Sequence, residues 1–252
     1  MSTANYYSGT SGLVLPVPNK THYPEEYRDK SRLSYYASLF TSIEVNSSFY
    51  KIPRAKTIEN WAAMVPDDFK FTFKLWKGIT HAKELAFDPQ HIAAFMQAIN
   101  PAGSKKGCLL VQLPPGAKAG LFPQLQQLIA YIRENDPQQS WKIAMEFRHQ
   151  SWYNSNILQF AGEFNLSIVL QDIPVSATPM NYAEGNTVYL RFHGPGGKYR
   201  GSYQNDILME YSTYIKEWLD EGKTVYVYFN NTMGDAVKNL ASLDAFVQET
   251  EV

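Results

Sequence analysis

The sequence predicts an α/β protein: a closed TIM-type barrel of eight parallel strands and surrounding helices, with the sixth helix degenerate or replaced by a loop. Two observations favour this fold. Eight strand-like segments alternate with seven helix-like segments over 252 residues, a length typical of one (β/α)8 barrel. The strands also carry apolar residues on one face and mixed residues on the other, whereas strands of an open doubly wound sheet are apolar on both faces. We therefore expect one domain over residues 1–252.

The composition restricts the partners and the compartment. The chain has 23 basic and 24 acidic residues and a formal net charge of -1, so it carries no global field that would attract nucleic acid or an anionic membrane. Its single cysteine, Cys108, excludes an internal disulfide and suits a reducing compartment. No secretion signal and no membrane-spanning run are evident. We predict a cytoplasmic protein that does not enter the membrane.

The first half of the chain contains four predicted strands, each followed by a helix. Alternation is strictest at residues 69–76, where phenylalanine alternates with lysine and threonine. Asp88 precedes a proline at the first helical position, which is typical of a helix start. The strands are predicted at 6–11, 43–46, 69–76 and 107–113, and the helices at 23–40, 57–65, 89–99 and 122–133.

The second half of the chain supplies the other four strands. Residues 173–186 are rich in turn-forming residues and predict a loop where the sixth helix of a barrel would lie. The strands are predicted at 143–148, 167–172, 187–193 and 224–230, and the helices at 157–164, 206–219 and 235–247.

Polar side chains gather at the carboxyl ends of these strands. In the strand at 143–148, period-two alternation sends Ile143 and Met145 to one face and Glu146 and Arg148 to the other. In a barrel the mixed face points inward, and its carboxyl end lies at the mouth, where barrel active sites are found. The residues predicted to converge there are Glu44, Asn46, Lys74, Gln112, Glu146, Arg148, Asp172, Arg191, His193 and Asn230.

These residue types predict a site for an anionic ligand with acid/base groups beside it. Guanidinium groups match the geometry of carboxylates and phosphates. We predict Glu146 as the main acid/base group, with Asp172 or Glu44 as its counterpart; Arg148 neutralising Glu146 in a structural pair is the alternative. His193 either transfers protons or donates a hydrogen bond to Asp172. The predicted substrate-binding residues are Arg148, Arg191, Lys74, Asn46, Gln112, Asn230, Asn231 and His149.

The glycine-rich stretch at 194–201 leaves two interpretations open. Loops after the seventh and eighth strands of a barrel often bind phosphate, and this stretch carries Lys198 and Arg200. Asn231, Thr232 and Gly234 follow the eighth strand, just before a helix whose amino end would favour an anion. A plain flexible turn explains the glycines as well.

The sequence predicts neither a metal nor a tightly bound cofactor. A metal site would use His149, His193, Glu146 and Asp172, with His81 as a further candidate, but these residues match no specific ligand spacing, and the neighbouring arginines would repel a cation. No Walker loop, dinucleotide-binding GxGxxG, HExxH or GxSxG motif is present. The expected partner is a small anionic molecule.

Several stretches together resemble the YecE-like family, also called domain of unknown function 72. The resemblance implies a TIM-type barrel and no particular reaction. Leu13 is a departure, because members typically carry tryptophan after GTSG. The matching stretches are YSGTSG (7–12), IEVNSSFY (43–50), the phenylalanine-rich strand with Lys74 followed by ITH (79–81), EFRHQSW (146–152), YLRFHG (189–194) and YFNNT (228–232).

Three functions remain open. The leading one is an enzyme that acts on a small anionic metabolite, for example a phosphorylated one, by acid/base chemistry; hydrolase, isomerase and lyase activities all fit. The second is a carbohydrate-cleaving barrel that uses Glu44 and Glu146, which requires carboxyl groups roughly 5 to 9.5 Å apart. The third is a non-catalytic module that binds a ligand. Nucleic acid is not favoured and would require one basic rim formed by Lys198, Arg200, Arg54 and Lys56.

Overall fold

The structure is a computed structural model that describes residues 5–249 and shows an α/β fold. The strands are β1 (Tyr6–Thr10), β2 (Ser42–Val45), β3 (Lys70–Lys74), β4 (Lys106–Gln112), β5 (Lys142–Glu146), β6 (Ser167–Ile168), β7 (Leu170–Gln171), β8 (Thr187–Phe192) and β9 (Thr224–Phe229). The helices are α1 (Arg32–Leu39), α2 (Ser47–Tyr50), α3 (Ala55–Ala63), α4 (Lys77–Thr80), α5 (Pro89–Ile99), α6 (Phe122–Glu134), α7 (Ser155–Glu163), α8 (Asn205–Asp220) and α9 (Ala236–Gln248).

The strands pair in parallel within two sheets. One sheet has the order β1, β9, β8, β7, and the other has the order β2, β3, β4, β5, β6. Most strands pair with the next strand in the chain, as expected of successive β/α units. The sequence predicted one closed barrel of eight strands. The strand pairing among residues 5–249 instead gives a four-stranded and a five-stranded sheet.

The two sheets adjoin at two boundaries. Between β6 and β7 only Val169 intervenes, and its N–H donates to the carbonyl oxygen of Met145 at 2.9 Å. Between β1 and β2, Ser11 forms a parallel bridge with Glu44, and the N–H of Gly12 donates to the carbonyl oxygen of Glu44 at 2.7 Å. The predicted sixth strand is therefore interrupted, and the first strand is linked to the second by a single bridge.

The loop after β7 explains the interruption. Thr178 folds back onto the strand, where its hydroxyl donates to the carbonyl oxygen of Val169 at 2.8 Å and its N–H donates to that of Gln171 at 3.0 Å. The Thr178 hydroxyl thus bonds the carbonyl oxygen of Val169, which in a continuous strand would accept a hydrogen bond from the neighbouring strand. Apart from a single 3-10 turn at Met180–Tyr182, the loop has no helix, as predicted.

The two faces predicted from the alternation are separate in the structure. Ile143 and Met145 belong to the large core between strands and helices, whereas Ala144 belongs to a small inner cluster. Side chains of both sheets meet on this inner side, where the Tyr228 hydroxyl lies 2.6 Å from Oγ of Ser42. The inner cluster consists of Cys108, Leu110, Ala144, Val169, Tyr189, Tyr226 and Tyr228.

One predicted helix is too long. The helix expected at 23–40 begins only at Arg32, after short 3-10 turns that include Glu25–Tyr27. Ser31 has an extended backbone, and its hydroxyl accepts the N–H of Ser34 at 3.0 Å, as an N-cap does. The tyrosines before this cap reach α1 from turns and pack against it there. The other predicted helices are confirmed to within two residues at each end.

The described helices give no sign of a membrane span. None of them within residues 5–249 is long and apolar enough to cross a bilayer.

We expect Gly9→Ala to destabilise the fold. A methyl group at Gly9 would overlap the backbone carbonyl of Ser42 and would lie 2.8 Å from the Tyr36 hydroxyl, which itself donates to that carbonyl at 3.1 Å. The free energy of unfolding, measured by urea denaturation, should fall by about 2 to 3 kcal/mol.

Gly162→Ala is the matched control, because nothing lies within 4 Å of a methyl group at this position of α7. It should be neutral or stabilising by roughly 0.5 to 1 kcal/mol, since alanine suits a helix interior better than glycine. Unchanged stability of the Gly9 variant would contradict the close approach of β1 and β2.

Candidate functional site

Arg191 of β8 joins the two sheets at the carboxyl end of the inner face. Its side chain is buried, and Nη2 lies 2.7 Å from Oε1 of Glu44 in β2. Nη1 lies 2.9 Å from Oε2 of Glu146 in β5. The predicted convergence of these three side chains is confirmed. One guanidinium therefore bonds two carboxylates that come from the opposite sheet.

Glu44 accepts hydrogen bonds from three residues, two of them on β8. The Ser11 hydroxyl donates to Oε1 at 2.6 Å, the Tyr189 hydroxyl donates to Oε2 at 2.5 Å, and Nε of Arg191 lies 3.0 Å from Oε2. Burial would raise the pKa of Glu44, but the Arg191 charge and these hydrogen bonds hold it below its usual value. Glu44 is therefore an anion at neutral pH.

Glu146 lies between two guanidinium groups. Arg191 bonds one carboxylate oxygen, and Nη2 of Arg148 contacts the other. Burial would raise the pKa of Glu146, yet the Arg148 and Arg191 charges hold it well below its usual value. The carboxylate is thus ionised and paired with Arg148, which is the structural alternative that the sequence left open.

His193 is neutral, and its tautomer follows from its neighbours. Its Nε2 lies 3.0 Å from Nη2 of Arg148 and 3.1 Å from Nη1 of Arg191. Guanidinium groups only donate, so Nε2 accepts and the proton sits on Nδ1, 3.2 Å from Oδ1 of Asp172. Burial lowers the pKa of His193, although the hydrogen bond to Asp172 opposes the shift. The 3.7 Å approach of Nε2 to Glu146 is therefore not a hydrogen bond.

Asp172 lies on the far side of the His193 ring. Its carboxylate accepts the backbone N–H of His193 at 2.8 Å and the Tyr203 hydroxyl. It lines a different cavity, of about 370 Å³, beside Tyr211 and Tyr214. The structure thus places Asp172 next to the predicted constellation but separates it from Glu146 by an imidazole ring.

The inner face opens into a cavity of about 280 Å³ above Arg191. Two cationic side chains reach it, and the described residues that line it include no carboxylate. Its lining residues are Asn46, Phe49, Tyr50, Lys74, Arg191, Tyr199, Asn230, Thr232 and Met233.

Lys74 ends β3 and places its amino group at this cavity. The residue is only 9% exposed, and Nζ lies 4.3 Å from the centroid of the Phe49 ring. Burial lowers the pKa of Lys74 to about 8, and the nearby Arg191 charge acts in the same direction. This shift brings its protonation equilibrium close to neutrality.

The predicted amide side chains divide into two groups. Asn46 and Asn230 line the cavity, and the buried Oδ1 of Asn46 has no hydrogen-bond partner among the described residues. Gln112 lies opposite Glu146 in the β4–β5 register, but its amide nitrogen bonds the carbonyl oxygen of Leu113 at 3.0 Å and it is not part of the cavity lining.

Asn231 and His149 lie outside the cavity lining. The amide nitrogen of Asn231 donates to the carbonyl oxygen of Gly201 and to Oδ1 of Asn239, both at 3.0 Å. Nδ1 of His149 accepts the N–H of Ser151 at 3.1 Å and caps a short turn. Both residues hold loops in place in this structure.

The glycine-rich loop after β8 is an ordered turn that uses its own N–H groups. The N–H of Gly194 donates to the Tyr203 hydroxyl at 2.5 Å, and that of Gly197 donates to the carbonyl oxygen of Gly194 at 2.7 Å. Lys198 and Arg200 are exposed and do not line the cavity. The contacts favour the turn interpretation over a phosphate-binding loop.

Four cavity residues were not predicted: Phe49, Tyr50, Tyr199 and Met233. Phe49 and Tyr50 lie on α2, a single turn directly after β2. Tyr199 has a left-handed backbone with φ of 62° inside the glycine-rich loop. Neither periodicity nor a charged motif marks such positions, so only their place next to strand ends gives a signal.

Within residues 5–249 no group of three or more His, Cys, Asp or Glu side chains is arranged to hold a metal ion.

Leu13 and Trp61 line a separate, mainly apolar cavity of about 310 Å³. This cavity shares Asn46 with the cavity that Lys74 and Arg191 line.

We expect Glu44→Gln to lower the free energy of unfolding by about 3 to 5 kcal/mol, because it removes one of the two carboxylates that neutralise the guanidinium groups of Arg191 and Arg148. Urea denaturation followed by circular dichroism measures the loss. The double variant Glu44→Gln/Arg191→Met removes both partners and should recover part of it. A Glu44→Gln protein as stable as the wild type would show that the pair does not hold the sheets together.

The chain resembles several known proteins over most of its length. A family model described as a protein of unknown function, DUF72, matches residues 7–252. The UPF0759 protein YunF of Bacillus subtilis (strain 168) is 28% identical over 249 residues, with 86% of each chain covered. The UPF0759 protein YecE of Escherichia coli (strain K12) is 29% identical over 102 residues, which are 40% of this chain and 38% of that protein.

Solved structures resemble the fold as a whole. A DUF72 family protein from Enterococcus faecalis V583 is 25% identical, with a TM-score of 0.78 and coverage of 98% of this chain and 97% of that one. A DUF72 family protein from Thermotoga maritima MSB8 is 22% identical, with a TM-score of 0.71 and coverage of 97% and 99%, which shows likeness of fold alone. Because the family model spans almost the whole sequence, the chain belongs to the DUF72 family, the YecE-like family that its motifs indicated.

Proposed function

We propose that this protein is an enzyme that binds a small anionic metabolite, for example a phosphorylated or carboxylated one, and acts on it by acid/base chemistry. The observation that carries this proposal is the lining of the 280 Å³ cavity: Lys74 and Arg191 reach it, and no described carboxylate does. Arg191 is already paired with Glu44 and Glu146, whereas Lys74 has no carboxylate within 4.0 Å among the described residues, and an unpaired cation attracts a negatively charged ligand. The amides of Asn46 and Asn230 would orient its uncharged part.

Lys74 is the acid/base group that we assign to the cavity. A pKa of about 8 lets an amine both accept and release a proton near neutrality. The carboxylate of Glu146, the predicted acid/base group, is paired with Arg148 and Arg191. Glu146 does not line the cavity, and neither do Glu44 and His193. We therefore propose positioning roles for these three, which fix Arg191 beneath the ligand, and for Asp172, which holds His193.

We also propose that the strands form the wall of a closed (β/α)8 barrel and that residues 1–252 are one domain. Counting β6 and β7 as one interrupted strand gives eight. The Ser11–Glu44 bridge links the first strand to the second, and the Glu44–Arg191 pair crosses the interior. The cavity would then lie at the carboxyl mouth, where barrel active sites are found.

The two rival functions have less support. A carbohydrate-cleaving mechanism needs one carboxyl group that stays protonated as the acid, whereas the pKa values of Glu44 and Glu146 are both lowered. A non-catalytic binding module would bind the same anions without turning them over. Incubation with a library of phosphorylated and carboxylated metabolites, followed by mass spectrometry, distinguishes an enzyme from such a binding module. Turnover that is abolished by Lys74→Gln would show that the protein is an enzyme.

We expect sulfate to bind at the cavity and to bind more weakly as the pH rises through about 8, because Lys74 loses its charge there. Isothermal titration calorimetry at pH 6.5 and 9 measures this, and sulfate itself does not titrate in that range. Lys74→Gln should weaken binding at pH 6.5 at least about tenfold, the equivalent of one charge-assisted hydrogen bond.

Two variants serve as controls. Lys74→Arg keeps a permanent charge and should bind sulfate without the dependence on pH. Lys198→Gln removes an exposed charge from the glycine-rich loop and should bind as the wild type does. If sulfate does not bind, or if Lys198→Gln weakens binding as much as Lys74→Gln does, the cavity is not the anion site.

A further inference from the structure

The amino group of Lys74 differs from those of the other partly buried lysines. Nζ of Lys70 donates to the carbonyl oxygen of Ser104 at 2.7 Å, and Nζ of Lys105 donates to that of Ala62 at 2.6 Å. Within residues 5–249, Nζ of Lys74 has neither a hydrogen-bond acceptor nor a carboxylate within 4.0 Å; its close neighbour is the Phe49 ring. Because Lys74 lines the cavity, an amino group without such a partner is available to a ligand there.

The surroundings of this amine make its neutral form accessible near neutral pH. Burial and the Arg191 charge lower the pKa of Lys74 to about 8, although the Glu146 and Glu44 charges act in the opposite direction, and no carboxylate is among the described residues that line the cavity. A neutral amine has a free electron pair and is a nucleophile, whereas an ammonium ion is not. Anion binding alone would be served better by an arginine, which keeps its charge when buried.

We propose that Lys74 forms an imine with the carbonyl carbon of a small anionic aldehyde or ketone, such as a 2-keto acid or a sugar phosphate. This inference rests on the proposed function, because Arg191 and the cavity amides must hold the anionic end while Nζ meets the carbonyl group. It gives the substrate a second required feature, a carbonyl group beside the negative charge.

The step balances without an oxidant or a reductant. The electron pair of Nζ forms the C–N bond, and the carbonyl π electrons move to oxygen, which takes up a proton as nitrogen releases one. The carbinolamine hydroxyl then takes a second proton and leaves as water, while the nitrogen electron pair forms the C=N bond. The product is a protonated imine, which draws electrons from the neighbouring carbon and assists proton removal or bond cleavage there.

Other cavity residues suit this chemistry. Tyr199 and Thr232 line the same cavity, and each carries a hydroxyl group that could hydrogen-bond the carbonyl oxygen as it becomes a hydroxyl. The unpartnered Oδ1 of Asn46 offers an acceptor to a hydroxyl group of the substrate. The Phe49 ring covers one side of Nζ and limits its hydration.

The experiment is reductive trapping of the full-length protein. Pyruvate, dihydroxyacetone phosphate and glyceraldehyde 3-phosphate are each incubated with it in the presence of sodium cyanoborohydride, which reduces an imine to a stable secondary amine. Proteolysis and mass spectrometry then locate the modified lysines. We expect at least one probe to modify Lys74 in large excess over Lys70, and acetone, which lacks an anionic group, to modify it far less.

Lys70 is the internal control, because it lies at the other end of β3 and burial lowers its pKa as well. Equal modification of Lys70 and Lys74, or none of Lys74 by any probe, overturns the imine. Sulfate titration of the same sample separates the two proposals. If sulfate binds while Lys74 stays unmodified, the proposed function stands without the imine; if neither occurs, both are wrong. Lys74→Arg should bind sulfate and form no adduct at this position.

Discussion

The buried guanidinium of Arg191 constrains the interior of this protein at the carboxyl ends of the strands. Arg191 bonds Glu44 and Glu146, which lie 147 and 45 residues away in the sequence and belong to the other sheet. Removing one partner of such a network leaves an uncompensated charge in a medium of low dielectric constant, which costs far more than the pair contributes in net stability. The network therefore fixes how the two sheets face each other next to the inner cluster.

The same network determines which groups remain available for chemistry. It engages both glutamates, and the two arginines donate to the one nitrogen of His193 that can accept. What looks in the sequence like a collection of acids and bases is largely an internally neutralised layer. Among the described cavity residues, Lys74 is the cation that this layer does not pair, and so the charge balance of the interior singles it out.

The sequence predicts which face of a strand each side chain lies on, but it does not predict which residues that side chain bonds. Alternation places Ala144 and Glu146 on the inner face because a strand has a strict period of two, and the two hydrophobic clusters follow that division. Partners depend on long-range geometry, so the lowered pKa of Glu146 and the capture of His193 by arginines were not predictable. Periodicity also predicted a helix before Ser31, where the apolar residues have helical spacing but the chain forms turns. It predicted a continuous sixth strand at Val169, whose carbonyl oxygen accepts the Thr178 hydroxyl of the following loop.

Two of the loops that line the cavity are joined by backbone hydrogen bonds. The N–H of Met233 donates to the carbonyl oxygen of Tyr199 at 3.1 Å, and that of Asp235 donates to the carbonyl oxygen of Gly201 at 3.2 Å. Gly234 packs so closely on Gly201 that a side chain would not fit between them. We therefore expect a displacement of the Tyr199 ring to affect the start of α9, so that a spectroscopic probe on this helix would report ligand entry into a cavity that the helix does not line.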